Sequence, residues 1–142
     1  MNSVSAAIAG AAVFVWLGMV LAISFLEAPL KFRAPGVTIP LGLGIGRIVF
    51  RALNLVEIVL AATVAVALAV GGPSTSVAVL AVVVAVVLAG QLAVIRPRLN
   101  RRSDRVLAGE RLPRSHAHWY YVVFEAIKTV ALLVLGILLL AA

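Results

Sequence analysis

The sequence predicts an all-α integral membrane protein, built as one four-helix bundle over residues 1–142. The first observation is composition: the chain is 64% hydrophobic and 12% charged, whereas soluble domains are about 45–50% apolar and about 25% charged. The second is a mean hydropathy of +1.20, because a small soluble domain could not bury so much apolar surface. The third is the presence of four apolar segments, each with the roughly 20 residues that a helix needs to cross a bilayer.

The four helices are expected over about residues 5–27, 40–70, 76–96 and 116–141. The first segment has no Lys or Arg before Lys31, and its apolar run is too long for a signal peptide, so we expect a retained helix. Pro40 suits the first turn of the second helix. A polar turn at residues 71–76 separates the second helix from the third, and Pro97 ends or kinks the third.

Small residues recur at helical spacing in two places. Ala6 with Gly10, and Ala7 with Ala11, predict a close helix contact within the bundle or between subunits. The run at residues 42–46 alternates Gly with apolar residues but lacks the strand and the Lys-Ser/Thr of a phosphate-binding loop. We therefore interpret it as a packing element near the start of the second helix.

The positive charges lie almost entirely in two connections. The first group is Lys31, Arg33, Arg47 and Arg51, and the second is Arg96, Arg98, Arg101, Arg102, Arg105, Arg111 and Arg114. Short basic loops stay in the cytoplasm. We therefore expect a protein of the bacterial plasma (inner) membrane, with both termini outside and both basic loops on the cytoplasmic side. The net charge of +7 also predicts attraction to anionic lipid headgroups. Without a recognition motif or interleaved aromatics, it predicts no nucleic-acid partner.

Polar side chains inside the helices are the candidate site, because a charge at the bilayer centre costs at least about 2.5–3.5 kcal/mol. Spacings of three and four residues place several on one face of their helix. The candidates are Glu27 in the first helix, Arg51, Asn54 and Glu57 in the second, Gln91 in the third, and His118, Tyr121, Glu125 and Lys128 in the fourth. Their depths describe a polar wedge that opens toward the cytoplasm and closes toward the outside.

Two interpretations of this wedge stay open. In the structural one, the buried charges neutralise one another and fix the register of the helices. In the functional one, the wedge binds an ion, a polar solute or a cofactor. A metal is not expected: the chain has no cysteine, and His116 and His118 are weak candidates because the Lys128 ammonium would compete with a cation.

The first half of the chain resembles a known group of membrane proteins. The pattern consists of Trp16-Leu17-Gly18, the stretch from Phe25 to Phe32 with Pro29, and Gly46-Arg47 followed by Phe50-Arg51. Over residues 16–57 it is similar to small four-helix membrane proteins of the transmembrane-protein-205-like and copper-resistance-D-like group. The resemblance implies a four-helix membrane fold, and metal-resistance and haem-associated relatives of the group keep a cofactor possible.

Three functions follow from these observations. The first is a transporter or channel-like protein for a small polar or anionic solute, for which we expect self-association into a homo-oligomer. The second is an accessory or assembly subunit that joins a partner membrane subunit, with purely structural charges. The third is a membrane enzyme that binds haem, quinone or lipid, with Glu57 or Glu125 as a base and His118 as an axial ligand. The chain shows no redox motif and no recognisable pair of haem ligands, which argues against the third.

Overall fold

The computed structural model describes residues 1–111 and 116–142, with residues 116 and 117 described by their backbone alone. Every regular element in this part of the chain is helical. We number four helices: α1 (Ser3–Arg33), α2 (Ile39–Gly71), α3 (Thr75–Leu107) and α4 (His116–Leu140). All four contain a stretch that is long and apolar enough to cross a membrane. The predicted all-α fold with four such helices is therefore confirmed.

The helix ends opposite the basic connections are held by local caps. The Asn2 side chain accepts hydrogen bonds from the amides of Val4 and Ser5, and the Asn2 amide donates to the carbonyl of Gly71. The start of α1 thus lies beside the end of α2. Gly72 then turns the chain with a φ of 66°, a left-handed conformation that costs glycine little. Ser74 caps α3 by accepting from the Val77 amide at 3.3 Å.

α1 occupies the centre of the bundle, where it packs along both α2 and α4, while α3 packs against α4. The apolar core lies in the half of the bundle nearest the chain termini and includes Val13, Val84 and Leu132, each almost fully buried. Gly10 faces α4, because a Cβ built on it would lie 3.8 Å from Leu139 Cβ. The predicted close contact at Gly10 is therefore a contact within one chain. Ala7 and Ala11 are exposed on the other side of α1.

Two of the helices contain a π-helical segment, Leu21–Glu27 in α1 and Gln91–Ile95 in α3. In both helices a proline stands at the second position after that segment, Pro29 and Pro97 respectively. Proline has no amide hydrogen and cannot make the α-helical bond to the carbonyl four residues earlier. The wide π turns change the hydrogen-bonding register just before each proline. The expectation that the third helix ends near residue 96 is thus corrected, since α3 continues through Pro97 to Leu107.

Candidate binding cavity

The buried charges of α2 and α4 form one cluster in the interior of the bundle. Lys128 Nζ lies 2.5 Å from Glu57 Oε2 and 2.5 Å from Glu125 Oε1. It also donates to Gln91 Oε1 at 2.8 Å. Glu57 and Lys128 are 0% exposed and Glu125 is 1% exposed. We call Glu57, Glu125, Lys128 and Gln91 the charge cluster; it draws on α2, α3 and α4.

Glu125 has all of its acceptor positions occupied. Its Oε1 accepts from Gln91 Nε2 at 3.0 Å as well as from Lys128. Its Oε2 accepts from the Tyr121 hydroxyl at 3.1 Å and from the Ser24 hydroxyl. An ionised carboxylate offers about four lone-pair sites. Glu125 is therefore a saturated acceptor, which suits a structural anion better than a free catalytic base.

Glu57 is held less completely than Glu125. Its Oε2 accepts from Trp16 Nε1 at 2.7 Å and from Lys128. Its Oε1 is buried and has no hydrogen-bond partner among the described residues. The two carboxylates therefore differ: one is satisfied on both oxygens, and the other on one oxygen.

A cavity of about 470 Å³ lies next to the charge cluster, among all four helices. Ser24, Tyr121 and Glu125 line its inner end, and Glu125 is the one member of the charge cluster that reaches it. Aromatic and aliphatic side chains form much of the wall, with three cationic residues among them: Lys31, Arg47 and Arg96. The cavity is thus a mostly apolar chamber with positive groups in its wall.

Ion pairs engage two of these three cations. Arg47 pairs with Asp104, which ties α2 to the extension of α3 beyond Pro97. Lys31 Nζ lies 3.8 Å from Glu27 Oε2, one turn earlier in α1. Asp104 is exposed and the separation between Lys31 and Glu27 is long, so these contacts add little stability. They leave Arg96 as the cavity cation without an ion pair among the described residues.

Two glycines of the 42–46 run shape the wall, as their packing interpretation predicts. A Cβ on Gly42 would overlap the Phe32 ring, and a Cβ on Gly46 would lie 2.8 Å from Lys31 Nζ. No real Cβ approaches so closely, so the two glycines allow the end of α1 to lie against α2. This contact places Phe32 and Lys31 beside the cavity.

Several predicted site residues lie outside the charge cluster. Arg51 is exposed and does not line the cavity, so its expected place in the polar wedge is corrected. Its position explains this, because six residues turn it about 120° around α2 from the inward-facing Glu57. Asn54 is buried without lining the cavity, and Glu27 pairs with Lys31 instead of joining Glu57.

Of the two candidate histidines, only His118 has a side chain within the part of the chain that the structure describes. His118 is exposed and lines the cavity, whereas the His116 side chain lies outside the described part of the chain. Among described side chains, no three His, Cys, Asp or Glu residues are grouped so that they could hold a metal ion.

Three residues that contact the charge cluster or the cavity were not predicted as site residues. Trp16 and Ser24 are bound to the two carboxylates, and Arg96 lies in the cavity wall. Trp16 in an apolar helix resembles a core residue, but a buried indole N–H needs an acceptor. That requirement was the available signal. Arg96 was assigned to a loop because Pro97 was expected to interrupt the helix.

A second, small cavity of about 60 Å³ lies on the other side of the charge cluster. Trp16 lines it, together with alanines of α2 and α3 such as Ala61 and Ala81. Because Trp16 binds Glu57 and Glu125 reaches the large cavity, the charge cluster lies between the two cavities.

Comparisons with protein-family models, with curated proteins and with solved structures each give no match. The resemblance of residues 16–57 to small four-helix membrane proteins therefore stays a prediction. The residues that carry it are nonetheless concentrated around the site: Trp16 binds the charge cluster, while Lys31, Phe32, Gly46 and Phe50 line the cavity.

Proposed function

We propose that the protein is a small transporter or channel-like protein for a polar or anionic solute, which enters the bundle through the cavity. The observation that carries this proposal is the one-sided chamber of about 470 Å³ with Lys31, Arg47 and Arg96 in its wall. A packed structural bundle has no need of such a space. Its apolar lining with a few polar groups is typical of small-molecule sites.

The proposal includes an orientation. Both basic connections lie at the cavity end of the bundle, while the α2–α3 turn has no Lys or Arg. By the positive-inside rule, the cavity opens on the cytoplasmic side of a bacterial plasma membrane and both termini face outward. The basic extension of α3, Arg96–Leu107, then lies near anionic lipid headgroups.

The route beyond the cavity is closed in this conformation. The charge cluster and the apolar core with Val13, Val84 and Leu132 fill the rest of the bundle. The small cavity beside Trp16 is the next space along the same direction. Translocation therefore needs a movement of α2 and α3 about Trp16, or a second copy of the chain that lines the outer half of the route.

The saturated state of Glu125 favours a second candidate, an accessory subunit whose intramembrane charges are structural. All four donors to Glu125 come from the same chain, so Glu125 is satisfied without a ligand. A structural role for these charges is compatible with both candidate functions, because a structural cluster can also form the inner end of a transport cavity. They differ on whether anything enters the cavity. The membrane-enzyme alternative is weaker, since Glu57 does not reach the cavity and Glu125 has no free acceptor position.

Solute entry can be tested with single cysteines, because the chain has none of its own. Ser103 lines the cavity, whereas Leu107 lies at the end of α3, is exposed and lies outside the cavity. The purified protein is reconstituted into liposomes, and permeability to small anions and neutral polyols is measured by light scattering. We expect a bulky thiol reagent to block solute entry in the Ser103→Cys protein and to leave solute entry in the Leu107→Cys protein unchanged.

Two outcomes contradict the transport proposal. Permeability equal to that of protein-free liposomes for every solute, with folded protein in the bilayer, supports the accessory-subunit alternative. Equal inhibition of Ser103→Cys and Leu107→Cys excludes the cavity as the route.

A further inference from the structure

Arg96 is held between two aromatic rings at the wall of the cavity. Its guanidinium carbon lies 4.7 Å from the centroid of Phe50 and 4.7 Å from that of Tyr121. The two rings meet edge to face, with centroids 5.6 Å apart and planes at 83°. Cation–π contacts of this kind fix the orientation of a guanidinium. Neither ring supplies an oxygen acceptor for the guanidinium N–H donors.

Two of those donors have no partner. Nε and Nη2 of Arg96 are buried and make no hydrogen bond with any described residue. Nε–H and Nη2–H are the two parallel donors on one edge of the guanidinium. This edge matches the two oxygens of a carboxylate or phosphate. Leaving buried charged donors unpaired is costly, so their arrangement favours an acceptor with two oxygens.

The surroundings favour an anion over a cation at this place. Arg47 and Lys31 lie in the same wall, and their ion-pair partners Asp104 and Glu27 do not line the cavity. Glu125, the acidic group that lines the inner end, is paired with Lys128 and accepts from three further donors. Among the described residues that line the cavity, the buried polar atoms without a partner are donors, and they belong to Arg96.

The depth of Arg96 matches the polar boundary of a membrane. It follows Thr75, the first residue of α3, by 21 positions. This separation corresponds to about 31 Å of helix at 1.5 Å per residue, close to the roughly 30 Å thickness of the hydrocarbon core. Arg96 is thus at the level of lipid phosphates, and it can also be reached from the aqueous side.

The geometry points to an oxyanion site: Arg96, held by Phe50 and Tyr121, binds a phosphate or carboxylate group once a shift of its side chain turns Nε–H and Nη2–H, buried in this structure, toward the cavity, while the apolar wall takes the rest of the molecule. This inference rests on the proposed function and defines its substrate class as an oxyanion with an apolar part. The oxyanion comes either from a lipid headgroup or from a free solute.

The test uses Leu99→Cys, which places a single cysteine in the cavity wall, in maltoside micelles and phosphate-free buffer. The measured quantity is protection of this cysteine from a water-soluble thiol reagent. Inorganic phosphate and dihexanoylphosphatidylglycerol serve as the two oxyanion compounds, with a neutral alkyl glucoside as the control. Arg96→Gln, Arg96→Lys and Phe50→Leu are added to this background. The matched control is Arg98→Gln, which removes the same charge from an exposed position two residues away.

We expect one oxyanion compound or both to protect, and the glucoside not to protect. Arg96→Gln should weaken protection by about tenfold or more, because two charge-assisted hydrogen bonds are lost. Arg96→Lys keeps the charge without the parallel donors and should recover only part of the affinity, and Phe50→Leu should weaken it severalfold. Arg98→Gln should change it by less than about twofold. Melting temperatures verify that each variant is folded; if Arg96→Gln is not, the comparison of Arg96→Lys with Arg98→Lys decides.

The two compounds distinguish the sources. Protection by the phospholipid at concentrations where phosphate gives none assigns the site to a lipid headgroup, and protection by phosphate alone assigns it to a free solute. The inference is overturned if neither compound protects, or if Arg96 and Arg98 substitutions have equal effects. Solute flux blocked through Ser103→Cys would then still support the proposed function. Conversely, Arg96-dependent protection without any flux would retain the oxyanion site and remove the transport proposal.

Discussion

Lys128 Nζ of α4 lies 2.5 Å from Glu57 Oε2 of α2, although the two residues are 71 positions apart in the chain. The contact crosses the middle of the bundle, and neither side chain is exposed. It fixes the rotation of α2 and α4 about their axes, because turning either helix would leave a buried charge without its partner. Because Lys128 also pairs with Glu125, the loss expected to cost about 3–5 kcal/mol is that of the shared cation.

The first prediction concerns the unequal hydrogen bonding of the two carboxylates. Glu125→Gln should destabilise the protein by about 3 kcal/mol, because the new NH₂ group must face existing donors. Glu57→Gln should cost less than about 1 kcal/mol, because its amide oxygen can accept from Trp16 and Lys128 while its NH₂ takes the place of the unpartnered Oε1. Thermal or chemical unfolding in detergent measures both. Equal losses would contradict this difference.

The second prediction concerns the ammonium. Lys128→Met should destabilise by about 3–5 kcal/mol, because Glu57 and Glu125 then lose their common counter-charge in a buried site. Adding Glu57→Gln should recover a large part of that loss, since Glu125 keeps its bonds from Ser24, Gln91 and Tyr121. A double-mutant cycle on unfolding free energies gives the coupling. Additive effects would show that Lys128 and Glu57 do not interact as the distance indicates.

The third prediction concerns the indole of Trp16. Trp16→Phe should cost about 1.5–3 kcal/mol, because it removes a buried hydrogen bond to a charged group. Trp119 is 67% exposed, so Trp119→Phe is the matched control and should leave stability nearly unchanged. The Trp119→Phe protein also has Trp16 as its sole tryptophan, and its emission should be that of a buried indole. Emission typical of an aqueous indole would place Trp16 outside the bundle.

The fourth prediction concerns orientation in the membrane. Ser76→Cys, at the exposed start of α3, should react with an impermeant thiol reagent from outside the cell. Ser103→Cys should react only after permeabilisation, because the basic extension of α3 is expected in the cytoplasm. Ser76 is preferable to Ser74 because Ser74 caps the helix. The reverse pattern would place the cavity on the outside.

The sequence was sufficient for the helices and for the deepest charges. Long apolar runs predict the four helices, and the three-residue spacing of Glu125 and Lys128 predicts their common face, because an α-helix has 3.6 residues per turn. The same regularity gave the wrong position for Arg51, which lies about 120° around α2 from Glu57. Spacing along one helix cannot show which edge of a polar stripe meets the neighbouring helix.

The neutral partners were harder to predict. Ser24 and Gln91 both lie in π-helical segments, where the α-helical repeat no longer gives the direction of a side chain. Gln91 stands out in the sequence as the one strongly polar residue in its apolar run, whereas Ser24 is small enough to be tolerated anywhere in a membrane helix. The proline two positions after each segment is the sequence signal that was available for both.

The π-helical segments also make the cavity depend on chain length. A π turn accommodates one residue more than the α-helical turn it replaces, so each of these two helices contains what amounts to a one-residue insertion. Deleting one residue there would turn everything that follows by about 100°. In α3 that rotation would carry Arg96 out of the space between Phe50 and Tyr121, and in α1 it would carry Lys31 away from Gly46. Every one of those side chains would still be present in the shortened protein, but they would no longer face the same space.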